Sequence, residues 1–167
     1  QLNDNHLKTD DAVLCPAEDV EIEHKIKFSL DMEGNLVAKP KVKNVPYNSV
    51  QDITGQRHVF SSAGLNASSK SRMCVAYAYA LIEDGDKNAM EGAGQASRLF
   101  ADLNVNDLVE RAYGNTINIL DGSPVASGHY DVIFDEEMQA SLFQVFSMMF
   151  SGKSAKDGVN PMREKLG

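Results

Sequence analysis

The sequence predicts an α+β fold: an antiparallel meander sheet with helices packed on one face. Three observations carry this. Apolar residues recur at helical spacing in three separated stretches. Between the first and second, the period drops to two over a long run. An Asp84-Gly85 pair then closes that run as a tight turn, so the strands it joins are antiparallel.

Residues 1–14, QLNDNHLKTDDAVL, are polar and acidic and predict a loosely held lead-in. A single α+β domain is expected over 15–167. Pro16 suits the first turn of a helix, and Glu18, Asp19 and Glu21 suit its positive end. Ile22, Ile26, Leu30, Leu36 and Val37 mark its apolar stripe, Gly34 weakens it, and Pro40 stops it. Val42–Tyr47 is extended, with Pro46 requiring an edge position or a bulge. Arg57–Ser61 is a short strand, followed by a turn at Ala63–Ala67.

Ser71–Glu83 is the clearest strand. Met73, Val75, Tyr77, Tyr79 and Leu81 share a bulky face. Cys74, Ala76, Ala78, Ala80 and Ile82 share a small one, which predicts a helix or backbone lying close against it. Lys87–Phe100 returns alongside, where Gly92 and Gly94 invite a bulge or close packing. Asn104 caps the next helix, with Asp107 completing a capping-box pattern. That helix buries Val105, Leu108, Val109, Ala112, Ile119 and Leu120, and Asp121–Pro124 ends it. Tyr130–Phe134 reads as a short buried strand. Asp135 caps a last helix carrying Met138, Leu142, Val145, Phe146, Met149 and Phe150, with Gly152 at its C-terminal end. The tail from Ser151 is basic.

Composition narrows the function classes. Among 167 residues, 43% are hydrophobic and 24% charged, close to the globular average. The net charge of −8, with no Lys/Arg cluster, disfavours direct nucleic-acid binding. No apolar run approaches the roughly 20 residues that span a bilayer. Cys15 and Cys74 lie far apart in no C-x-x-C pattern, which predicts two reduced thiols and a cytoplasmic setting.

The residues show no active site by themselves. A zinc hydrolase needs paired His and a carboxylate, but His6, His24, His58 and His129 are isolated. Ser61-Ser62-Ala63-Gly64 lacks a nucleophile-elbow pattern, and Cys74 alternates inside a strand as an inert thiol does. Gly92-Ala-Gly94 lacks the third glycine and the βαβ context of a dinucleotide loop. Glu136 and Glu137 are adjacent, so they favour a helix N-terminus rather than share a proton.

An ordered series of motifs adds to this reading. Val42-Lys-Asn-Val45, Ser61-Ser-Ala-Gly64, Gly128-His-Tyr-Asp-Val-Ile-Phe-Asp135, Ser141-Leu-Phe143, Phe150-Ser-Gly-Lys153 and Arg163-Glu-Lys-Leu-Gly167 together resemble the PmbA/TldD family, also called modulators of DNA gyrase. The resemblance runs from about Ile22 to Gly167. It implies the middle portion of a longer protein, without its N- and C-terminal domains. TldD-type members carry a zinc-binding H-E-x-x-x-H on the last helix; here Gln144, Val145 and Met149 stand at those positions. The resemblance is therefore to the PmbA (TldE) type. It implies no catalytic, cofactor-binding or metal residue in this chain and zinc only in a TldD-type partner. That pair is expected to act as a metalloprotease on unfolded or modified peptides. The alternative expectation is a non-enzymatic scaffold. In either case the open surfaces of an excised middle domain predict self-association.

Overall fold

The computed structural model describes residues 11–165. The chain divides into two compact units, 1–123 and 124–167. The first ten residues of the expected lead-in, His6 among them, lie outside the described residues; Asp11–Leu14 form a helical turn, α1.

In the first unit α1 is followed by α2 (Ile22–Val37), β1 (Val42–Phe60), β2 (Asn66–Asp84), β3 (Lys87–Ser97) and α3 (Val105–Leu120). The three strands form an antiparallel meander in the order β1-β2-β3, and the helices lie against one face. This is the predicted α+β layout.

The small face of β2 is sealed. Cys74, Ala76, Ala78, Ala80 and Ile82 are fully buried, most of them in one core with Met32 and Leu36 of α2 and Leu108 and Ala112 of α3. Alanines let the helix backbones approach closely, and the bulky helix side chains fill the space. Gly92 of β3 makes a similar close approach. A Cβ there would stand 2.4 Å from the Ala78 carbonyl oxygen and 2.7 Å from Cγ of Tyr79. Gly85, at φ 62°, takes the first position of the two-residue turn between Asp84 and Lys87. Asn104 caps α3 as predicted, its side chain accepting from the Asp107 N–H. The pairing of β1 is irregular between Val42 and Tyr47, and β1 is an edge strand; Pro46 meets both expectations.

Several expectations are corrected. The first helix begins at Ile22 rather than Pro16, because Glu18 spends its carboxylate on a distant turn instead of its own helix end. Its buried stripe is Phe28, Met32 and Leu36; Ile22, Ile26, Leu30 and Val37 are exposed. Two apolar stripes share this helix, and the sheet covers one. Val42–Tyr47 and Arg57–Phe60 belong to one 19-residue strand, Ser61 lies just beyond it, and β2 begins five residues earlier than expected, at Asn66. The return strand stops at Ser97, and Phe100–Asp102 is a 3-10 turn. Ile119 is exposed, and Thr116 takes a buried place on α3.

The second unit departs further. Tyr130–Phe134 is neither a strand nor buried; Ile133 is 98% exposed. Asp135 does cap α4 (Glu136–Phe146), its side chain accepting from the Met138 N–H. The helix then tightens into a 3-10 turn over Ser147–Phe150. Gly152 opens α5 (Gly152–Lys156), capped by Ser151, instead of closing the preceding helix. No residue of α4 is buried.

Candidate functional site

Where β3 ends, the segment between α1 and α2 folds against β1 and β2. Cys15, Pro16, Ala17, Glu18, Asp52, Thr54 and Arg72 line a cleft of about 320 Å³ there. Arg72 continues the small face of β2 two residues before Cys74, so its guanidinium is carried into the protein and is 6% exposed. A buried cation requires partners. Its Nε donates to Asp52 Oδ1 at 2.9 Å and its Nη2 to Asp52 Oδ2 at 2.8 Å, a bidentate pair. Its Nη1 donates to the Glu18 carbonyl and lies 3.1 Å from the Glu18 carboxylate. Lys25 of α2 adds a 2.7 Å contact to Asp52.

The hydrogen bonds from Arg72 hold the Asp52 carboxyl well below the usual carboxylate range, against the cost of burial. The same pairing raises the guanidinium's pKa further. Burial pushes the Cys74 thiol up, and its Sγ–H faces Asp52 Oδ1 at 3.5 Å. A thiol so placed stays protonated and is a poor nucleophile. Glu18 finishes the cluster by accepting from the N–H groups of Phe100 and Ala101, at 2.7 and 2.9 Å. The arrangement is a clamp. It ties the segment before α2 to the sheet and to the β3–α3 connection, and its charges are consumed by one another.

Sequence reasoning did not single out Asp52 and Arg72. The signal was available: Arg72 has the parity of Cys74 and Ala76, and Asp52 is the only carboxylate between Gly34 and Glu83. A lone cation on a small, covered face calls for such a partner.

The opposite face of the sheet is open. Tyr47 and Ile53 of β1, Met73, Tyr77, Tyr79 and Leu81 of β2, and Met90 of β3 share it by register. Tyr47 and Tyr77 each set a ring edge-on to Tyr79, with centroids 6.0 and 6.3 Å apart. Tyr47, Ile53, Met73 and Met90 are exposed.

The other sequence candidates stay apart. Ser61 and Ser62 lie in the β1–β2 turn, where the Ser61 Oγ accepts from the Ala63 N–H. Gly92 and Gly94 lie inside β3 and form no loop. His24 is exposed on α2, His58 stacks on Phe60 at 6.2 Å, and His129 is exposed in the second unit. Glu136 and Glu137 occupy the first turn of α4. Gln144 and Val145 are exposed on α4, and Met149 is half-buried in the 3-10 turn. An amide, an alkyl group and a thioether do not make a zinc site. Among the described residues no group of three His, Cys, Asp or Glu could hold a metal ion. Cys15 and Cys74 are unbridged.

Fold and site together define a two-layer α+β domain whose polar cluster is structural and whose outer sheet face is open. A family model described as the PmbA/TldA metallopeptidase central domain matches residues 15–120. The chain belongs to that family. Comparison with curated proteins finds no match. Two solved structures share the fold. One, from Thermotoga maritima, is described as a candidate modulator of a DNA gyrase. It superposes with a TM-score of 0.78 at 20% identity, over 89% of this chain and 34% of that one. The other, from Bacteroides thetaiotaomicron and described in the same way, gives 0.71 at 16% identity, over 93% and 38%. The chain thus spans about a third of the length of the structures it matches. Among the described residues no helix is long and apolar enough to cross a membrane.

Proposed function

We propose that this chain is the central part of a PmbA (TldE)-type subunit that binds no metal itself. It would work in the cytoplasm beside a TldD-type zinc metallopeptidase that degrades or matures unfolded or modified peptides. The observation that carries this reading is the trio Gln144, Val145 and Met149 where the resemblance places H-E-x-x-x-H. None of the three supplies an imidazole or a general base. The clamp around Arg72 supports the same reading, since its groups are held by one another rather than aimed at a substrate. The subunit's contribution would be surface and shape.

Co-purification with an H-E-x-x-x-H partner, followed by a metal-dependent peptide cleavage assay, tests the pairing. The complex is expected to cleave, and this chain alone is not. Elemental analysis of the isolated chain should find no stoichiometric zinc; one tightly bound zinc per chain would overturn the assignment. The open sheet face favours a second reading, a scaffold that self-associates without proteolysis. Failure to find a cleaving partner, with self-association intact, would select it.

A further inference from the structure

β3 pairs with β2 only as far as Ser97 opposite Cys74, a level that β1 reaches at Asp52. Beyond it, Ile53–Phe60 and Asn66–Met73 continue as eight pairs of a two-stranded arm, roughly 26 Å long at about 3.3 Å per residue. α1 braces its β2 side, where the Asp11 carboxylate accepts from the Lys70 N–H at 3.1 Å. The arm's composition is unlike the rest of the chain. Of the 24 Asp and Glu residues none lies between Ile53 and Met73, whereas Arg57 and Lys70 do, beside the Arg72 already held in the clamp. Near its tip Phe60 is 70% exposed.

Among the described residues no strand pairs with the outer edge of β1. α2 lies beside it, tied by Lys25 to Asp52 and by Ser29 to Asn48. Phe28, on one side of that contact, faces Phe100. The exposed stripe Ile22, Ile26 and Leu30 is on the other side, so it overhangs the free edge of β1. The start of the helix adds Asp19, Glu21 and Glu23, all exposed. A strand laid on this edge would gain main-chain hydrogen bonds, an apolar roof and an acidic flank. The arm of another copy matches each demand: it is extended, carries an exposed Phe60, and lacks carboxylates.

We infer that two copies of this chain pair through the outer edges of β1, antiparallel about a two-fold axis near Gly55, each arm lying under the α2 stripe of the other. This rests on the self-associating reading above and names its surface. With the axis at Gly55, His58 stands opposite the partner's Asp52, and Phe60 opposite the partner's Val50. All four have the same parity, on the helix side of the sheet. Such a pairing is isologous and closes at two chains.

A symmetric cross-link reads this directly. Gly55 has an ordinary backbone conformation, and a Cβ there would meet only Ser71 Oγ at 3.6 Å, so Gly55→Cys is accommodated. Under mild oxidation Gly55→Cys should give a covalent dimer, while the wild type and Lys87→Cys, at the far end of the sheet, should not. By light scattering over a concentration series, Phe60→Ser and Ile26→Glu should each weaken the dimer at least about tenfold, since each is lost twice per pair. Neither is a core position. A dimer that persists without cross-linking at position 55 would overturn the arm pairing and leave self-association standing. A monomer at every concentration would overturn both.

Discussion

Cys74–Ile82 and Tyr130–Phe150 look alike as sequence: both are apolar, periodic and bounded by turn or cap residues. In the structure they are opposites. Every second residue of the first is fully buried, whereas Phe146 is 45% and Phe150 82% exposed in the second. Periodicity states which residues share a face; it does not state that anything covers the face. For β2 the cover is local, because α2 and α3 are joined to the sheet by short connections and carry the large side chains its alanines leave room for. For Tyr130–Phe150, no residue of α4 gains such cover. An apolar face that stays open is what a docking surface requires.

The sharpest way to break this comparison is at the clamp that ends the covered face. Asp52→Asn should cost roughly 3–5 kcal/mol at neutral pH, because it strips the buried Arg72 guanidinium of its bidentate partner. Acid should do part of the same. The Asp52 carboxyl is held below its unfolded pKa, so its contribution is full above about pH 5 and is lost as pH falls through the carboxylate range. Denaturant melts from pH 7 down to pH 3 should therefore show the gap between wild type and variant narrowing. A gap that widened towards acid would contradict the pairing.

Leu108→Ala tests the cover itself. The side chain is fully buried on α3, in the core with the β2 alanines, and its loss should cost about 2–5 kcal/mol in a urea melt. Phe146→Ala makes the matching cut in the open segment. Sequence periodicity alone would assign it a core penalty of about 3–5 kcal/mol. Its exposure on α4 instead predicts a loss under about 1 kcal/mol. Equal losses at the two positions would erase the distinction between the regions.

The family could be recognised from the motif series, while the sites yielded a mostly negative result. That Gln144, Val145 and Met149 offer no imidazole and no carboxylate is read from the residue types alone. The clamp was out of reach because Glu18, Asp52, Arg72 and Phe100 are scattered along the chain and meet only when the segment before α2 crosses the sheet. Proximity of that kind leaves no spacing rule to find.

By itself the sequence determined what local physics controls. The Gly85 turn, the Asn104 and Asp135 caps, the irregular pairing at Pro46 and the two unlike faces of β2 follow from single residues and a period of two. Tertiary structure decided what covers what. It chose Phe28, Met32 and Leu36 over Ile22, Ile26 and Leu30 on α2, joined two apparent strands into the 19 residues of β1, and left Tyr130–Phe134 uncovered. The reason is the same in each case. A helix or strand fixes the directions of its side chains from its own backbone, but burial is a property of the neighbour, and the neighbour is set by the whole chain's path.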